Sequence, residues 1–374
     1  MSADRRATVD VATSFAEEIA TAELIVTCGP GGVGKTTTAA ALGVAAARAG
    51  RRVVVVTVDP ARRLADALGL DAGAAADAPH RVDGIGEDSG GEMWALMLDA
   101  ASTFDRLVRE QTSTEKQADA ILENPVYRAI SGSLAGAQEY MAIERLHQLY
   151  TSGEWDLVIV DTPPSRHAID LLKAPDRLIG FLGHPVYRAL TAGQRAFAKV
   201  TNAAASMFLW AVRRLAGPQI VEDTIEFFRS LANIEPGLRG RAGEVSDLLR
   251  SEGAAFVVVS SPRAEAVGEA EHLIGALRDG GFPFAGVVVN LIHPMPIALT
   301  AADRAALDDL GEGPLADQIE WHDELTALAV AERDELAVLA DLAEDVTVVE
   351  LPLLSVDVHD VVGLIGLADR LVAT

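Results

Sequence analysis

One cysteine, Cys28, is present among 374 residues, so an internal disulfide and a Cys-x-x-Cys metal site are both excluded. It lies in an apolar run and reads as a small buried side chain. Long apolar stretches are missing too: no window approaches the roughly 18 apolar residues that span a bilayer. The opening residues, MSADRRATVDVATSFAEEIA, hold acids where a secretory leader needs an unbroken apolar stretch. A soluble cytoplasmic protein is therefore expected. Cations are scarce, 31 Lys and Arg against 55 Asp and Glu for a net charge of −24. No nucleic acid partner is expected, because affinity for a polyanion needs clustered cations that release counterions. The scarcity reverses in one place: from Arg177 to Val221 there is no carboxylate at all, while six cations occur.

What is present is an apolar fraction of 49% and a mean hydropathy of +0.22, enough for a large globular core. The chain is organised around Gly29-Pro30-Gly31-Gly32-Val33-Gly34-Lys35-Thr36-Thr37-Thr38. This run fits G-x-x-x-x-G-K-[ST], with a strand expected over residues 24–27 before it and an Ala-rich helix over residues 37–49 after it. Such a loop cradles phosphates. Without Cβ atoms at Gly29, Gly31, Gly32 and Gly34, successive N–H groups can turn inward, and the helix N-terminus adds its dipole. The nucleotide-binding set is then Gly29, Gly31, Gly32, Val33, Gly34, Lys35, Thr36 and Thr37, with Lys35 reaching the β- and γ-phosphates of ATP and the Thr36 hydroxyl ligating Mg²⁺.

Further strands follow as β-branched runs. Residues 52–58 (RVVVVTV) arrive one helix after the loop and complete a βαβ unit. They end in Asp59-Pro60-Ala61-Arg62-Arg63-Leu64, and an acid at that strand end points at the ligand crevice, where it could orient an attacking water or simply cap a helix. Residues 71–91 read as a surface connection, and 93–98 as a strand. Residues 102–150 read as helical with a break at Asn124-Pro125. Residues 155–160 (WDLVIV) form another buried strand closing on Asp161, which fits the second Mg²⁺-shell carboxylate of a phosphate-loop enzyme. Residues 255–259 and 284–290 resume buried strands, and a polar linker is expected after Pro236-Gly237. Residues 301–343 read as helical and acidic, and a last strand over 346–351 leads into Pro352-Leu353-Leu354 and a closing helix.

These motifs together resemble the arsenite-pump and tail-anchored-protein-targeting ATPases. The loop Gly-x-Gly-Gly-Val-Gly-Lys-Thr-Thr looks like that family's, although Pro30 stands where a second, signature lysine is usual. Asp59-Pro60-Ala61 and the Leu64 and Asp66 that follow resemble the first switch, with Asp59 at the position of the catalytic aspartate. Arg62 and Arg63 replace its usual His and Ser or Asn; they either supply charge near the γ-phosphate or face solvent. Asp161-Thr162-Pro163-Pro164-Ser165-Arg166-His167 resembles the second switch, with Pro164 and His167 in register. By the same resemblance Asn290 and the Pro352-Leu353 segment would contact adenine.

The fold expected is a doubly wound α/β phosphate-loop domain with a mostly parallel sheet. A single ATPase domain over 1–374 would have its core at about 20–101, 151–176 and 250–374, interrupted by a helical subdomain at about 102–150 and 177–245. The activity implied is Mg²⁺-dependent ATP hydrolysis (with Asp59 and Lys35 catalytic) coupled through the switches to that subdomain. Within the carboxylate-free segment the apolar residues follow helical spacing. They either pack as core or form a surface for an apolar client or anionic lipid, with Phe197, Met207, Phe208 and Trp210 as the candidate client residues.

One cysteine cannot supply the three thiolates that trivalent arsenic needs, which argues against an arsenite pump. A partitioning-type switch and a regulatory subunit with little hydrolysis remain as alternatives. The resemblance implies that the signature lysine reaches across a dimer interface to the other subunit's phosphates; since Pro30 offers no cation and no N–H, a homodimer would lack both trans lysines and would need Arg62, Arg63 or Arg166 to replace them in cis. The arrangement favoured is a heterodimer with a paralogue that retains the lysine, possible peripheral attachment to a membrane being left open.

Overall fold

The computed structural model describes residues 15–58, 63–68, 78–124, 137–185, 187–188, 226–227, 230, 232, 234–308, 314–342, 347–358 and 360–372. The runs that alternate between no two polar faces become strands buried on both sides. In β2 (Arg52–Thr57) the side chains of Val53 and Val55 join one apolar cluster while Val54 and Val56 join another on the opposite face. Each fully buried valine contributes roughly 1.5–3 kcal/mol. β1 (Leu24–Cys28), β5 (Leu157–Asp161), β6 (Ala254–Ser260) and β7 (Phe284–Ile292) are built in the same way.

With β3 (His80–Val82), β4 (Glu92–Met97) and β8 (Thr347–Pro352) they form one eight-stranded sheet in the order β3-β4-β2-β5-β1-β6-β7-β8. Every pairing is parallel except β3 with β4. This is the doubly wound, mostly parallel sheet expected. The central strands β2, β5, β1 and β6 are joined by crossovers, so their carboxyl ends share one edge.

α1 (Lys35–Arg48) packs on one face of the sheet, and its small side chains let α12 (Val361–Val372) cover it. Ala39, Ala40, Ala41 and Ala47 are fully buried there, and Phe15, Ile19 and Ala22 of the lead-in close the same cluster. The other face is covered by α5 (Ala137–Thr151), α6 (Ser165–Leu172), α9 (Ala264–Asp279) and the long α11 (Pro314–Leu342). α2 (Arg63–Ala67) follows β2, and α10 (Ala301–Asp308) precedes α11. None of the described helices is long and apolar enough to cross a membrane.

A third cluster lies among helices only. It joins Leu107 and Val108 of α3 (Ala100–Gln111), Ile121 of α4 (Glu115–Leu122), Tyr140 and Met141 of α5, Leu182 of α7 (Ala174–Gly183) and Leu238 of α8 (Glu235–Leu249).

Two expectations are corrected. Residues 71–91 do not read through as a connection, since His80–Val82 pairs antiparallel with β4 as an edge strand; three residues are too few for a periodic signal. Pro236-Gly237 does not open a linker either. Pro236 occupies the first turn of α8, where its missing N–H costs nothing, and Gly237 lets α8 approach Gln111 so closely that a Cβ would lie 2.0 Å from its Oε1.

Candidate functional site

The loop between β1 and α1 sits at the carboxyl edge of the sheet, held between β6, β7 and the start of α6. Gly29 runs so near β6 that a Cβ would meet Val259 O at 1.9 Å, so no other residue fits there. Gly32 and Gly34 have φ of 77° and 92°, the left-handed region. A Cβ on Gly34 would also come within 2.4 Å of Asn290 Nδ2, whereas one on Gly32 would meet nothing within 4 Å. The glycines thus serve both the turn and the close approach of neighbours.

Lys35 opens α1 and is buried, its Nζ donating to Pro30 O at 2.7 Å. The ammonium therefore lies folded back over the loop that would hold phosphates. Pro30 itself is buried. Two residues before it, at the end of β1, Cys28 is fully buried with its Sγ 3.7 Å from Val257 O; burial pushes its thiol up to about 12, with Lys35 opposing, so it stays neutral.

Thr36 Oγ1 donates to Asp161 Oδ2 at 2.6 Å, and Thr57 Oγ1 donates to the same oxygen at 3.0 Å. Sheet register explains the meeting, because Asp161 ends β5 directly between Thr27 of β1 and Thr57 of β2. Beyond Asp161 the chain is fixed to β1, with Thr162 N and Oγ1 both donating to Thr27 O at 3.2 and 2.8 Å. Pro164 then caps α6, and a Cβ on Gly31 would lie 3.9 Å from its ring. The phosphate loop and the segment read as the second switch are therefore neighbours. His167 is exposed on the first turn of α6, and its N–H donates to Pro164 O at 2.9 Å.

A magnesium nucleotide fits this donor set. Mg²⁺ is held by one or two carboxylates together with phosphate oxygens and water, and Thr36 and Asp161 offer a hydroxyl and a carboxylate that already share a bond. Among the described residues there is no group of three or more His, Cys, Asp or Glu able to hold a metal without such outside ligands. Val33, within the loop, is buried, and Thr37 lies half-buried on the first turn of α1.

On the other flank, Asn290 Nδ2 donates to Val33 O at 3.0 Å, which places the amide on the backbone of the phosphate loop. Leu291 follows with φ 66°, the one positive value at a non-glycine among the described residues. Such a conformation costs on the order of 1–3 kcal/mol and persists only where its surroundings enforce it. The β7–β8 register shifts between Val289 and Ile292, and Leu353 N donates to Ile292 O at 2.7 Å. Asn290, Pro352 and Leu353 are thereby brought to one corner, with Leu353 exposed.

Asp59 and Arg62 lie outside the described residues, as do Phe197, Met207, Phe208 and Trp210; of Arg63 and Arg166 only the backbone is described, in α2 and α6. Sequence reasoning missed Thr57, which its place at the end of the neighbouring strand could have signalled. It also missed the pair His293 and Glu332, for which no local signal exists.

The chain from 22 to 301 matches a family model described as anion-transporting ATPase. Among curated proteins it is similar to ATPase GET3 of Malassezia globosa, 27% identical over 72% of this chain and 72% of that one. It is 26% identical to ATPase GET3B of Arabidopsis thaliana, over 81% of this chain and 72% of that one. A protein of Aquifex aeolicus, provisionally named arsenical pump-driving ATPase 2, is 23% identical over 71% of this chain and 79% of its own.

Proposed function

The chain belongs to the anion-transporting ATPase family and is an ATP hydrolase, and from that premise we propose that it uses Mg-ATP to move a helical module that handles an apolar client or a membrane-associated partner. The observation that carries the reading is the bond from Thr36 to Asp161 beside a loop whose Gly32 and Gly34 take positive φ. Bound Mg-ATP would supply the phosphoanhydride whose cleavage drives the cycle. Lys35 would leave Pro30 O for phosphate oxygens, Thr36 and Asp161 would hold the cation, and the loop N–H groups would neutralise the growing negative charge. Asp59, as the carboxylate that would orient the attacking water, remains the proposed catalytic residue.

Coupling would run through α6. Its cap, Pro164, stands beside Gly31, Leu171 and Leu172 pack in the sheet-side core, and the next helix, α7, enters the helical cluster through Ala174 and Leu182. Arg250 ties that helix to the core, donating to Asp176 Oδ2 at 3.0 Å and to Gly280 O at 3.0 Å while lying 4.7 Å above the ring of Phe282. A helical module at about 102–150 and 177–245, carrying a client surface that includes Phe197, Met207, Phe208 and Trp210, is part of the proposal.

The partner we propose is a paralogous ATPase that retains the signature lysine. Pro30 has no cation to place across a dimer interface, and such a trans cation is worth roughly 10³–10⁵ in rate. The test is turnover by the purified chain with and without the paralogue. Slow hydrolysis alone and fast hydrolysis in the mixture are expected; brisk turnover by this chain alone, unchanged by the paralogue, would overturn the heterodimer.

A further inference from the structure

The segment after Asn290 is held by α11 through a single acidic side chain. Glu332, on α11, is buried, and both of its carboxylate oxygens serve a single residue of the loop. His293 N donates to Oε2 at 2.8 Å, and His293 Nδ1 lies 2.7 Å from Oε1. A carboxylate that accepts at both oxygens requires the proton on Nδ1, so the imidazole is fixed in position as well as the backbone.

Between that clamp and Asn290 lie only Leu291 and Ile292. Leu291 is in the left-handed region without being glycine, and the sheet register slips across it. A leucine does not adopt this conformation unless both ends are tied. One end is Asn290, bonded to Val33 O; the other is His293. The β8 contact, Leu353 N to Ile292 O, holds the edge but does not reach past Ile292.

We infer that Glu332 is a positioning residue for Asn290: by gripping His293 it enforces the turn at Leu291 and so sets the Asn290 amide against the phosphate loop, where it meets the nucleotide. This rests on the reading, drawn from the family resemblance, that Asn290 contacts the base. It goes beyond it in making α11 part of the binding site's support, so that a push on α11 changes nucleotide affinity. α11 also carries exposed Trp321, Leu325 and Leu328, and His322 Nε2 on the same helix lies 2.8 Å from Ile297 O, four residues beyond His293. The loop is thus pinned to the helix at two points.

The experiment measures equilibrium binding of fluorescent ATP and GTP, with Mg²⁺, to the full chain. Wild type is compared with Asn290→Ala, Glu332→Gln, His293→Ala and Leu291→Gly, and with the double variant Leu291→Gly/Glu332→Gln. Glu332→Gln keeps size and replaces one acceptor oxygen by a donor; it should weaken ATP about five-fold, the worth of roughly one hydrogen bond, and narrow the preference for ATP over GTP. His293→Ala should do the same by another route, and it changes a side chain that is part exposed. In the Leu291→Gly background the turn no longer needs enforcement, so adding Glu332→Gln should change affinity less than two-fold. Amide exchange of residues 290–293 in the nucleotide-free protein should accelerate in Glu332→Gln, independently of any ligand. If Asn290→Ala narrows the preference while Glu332→Gln and His293→Ala bind as wild type, Glu332 does not position Asn290 and the inference falls alone. If Asn290→Ala leaves both affinities unchanged, the base-contact reading falls and takes the inference with it. An undiminished loss from Glu332→Gln in the Leu291→Gly background would show a general packing role and would also overturn it.

Discussion

Thr36 and Asp161, 125 positions apart in sequence, share a 2.6 Å hydrogen bond at the carboxyl edge of the sheet. The bond ties the first turn of α1 to the end of β5, and the carboxylate is held from a second side by Thr57. Asp161→Asn should keep most of this geometry while removing the charge. Turnover measured against Mg²⁺ concentration should then half-saturate at roughly 10–100-fold higher Mg²⁺. An unchanged Mg²⁺ requirement would remove Asp161 from the cation's surroundings.

Gly34→Ala tests the loop without touching a charge. The new methyl would sit at φ 92° and within 2.4 Å of Asn290 Nδ2. We expect a loss of about 1–3 kcal/mol in urea unfolding, together with loss of ATP binding, because the amide must move to make room. Gly32→Ala makes the comparison: it shares the positive φ but has open space, so its defect should be the smaller of the two.

A pH effect is expected in the helical cluster. His147 is mostly buried on α5, its Nδ1 without a hydrogen-bond partner among the described residues, and burial lowers its basicity below the ordinary value of 6.5. Glu144 and Glu244 oppose that shift and Arg241 adds to it. The folded state therefore binds fewer protons than the unfolded chain, and stability is complete above pH 6.5 and declines as pH falls below it. His147→Gln should flatten this slope between pH 7.5 and 5.5, read from urea midpoints. Equal slopes in wild type and variant would assign the acid sensitivity elsewhere.

Pro30→Lys tests the missing cation. The side chain at 30 is buried in the isolated chain and its carbonyl accepts Lys35 Nζ, so the new ammonium must extend out of the loop to serve a second subunit. Faster turnover by the variant alone, in a homodimer, is the expected outcome. No gain, with the variant shown to be folded and dimeric, would place the missing rate elsewhere than in position 30.

The sequence was most legible where one local pattern carried one element. The loop Gly29–Thr38 announced its strand, turn and helix at once, and the β-branched runs announced β2, β5, β6 and β7. Asp161 was legible because it ends such a run. Less legible were contacts made by register or by distant helices: Thr57 reaches Asp161 only because β2 and β5 are adjacent, and Glu332 reaches His293 across 39 residues. His80–Val82 was too short to show a period, and Pro236 looked like a break although it begins a helix. Asn290 was found by resemblance, but its bond to Val33 O and the turn at Leu291 depend on the closing of the whole sheet edge.

The central claim is that this chain binds and hydrolyses Mg-ATP through the loop opened by Gly29. The most direct measurement is phosphate release from ATP by wild type and Lys35→Ala under identical conditions, in the presence of the paralogue, with ATP affinity titrated in parallel. Wild type should bind ATP and release phosphate in a Mg²⁺-dependent manner, and the variant should lose turnover by about two to three orders of magnitude, as expected of a group that stabilises transition-state charge. Equal turnover and equal affinity in the two proteins would contradict the account.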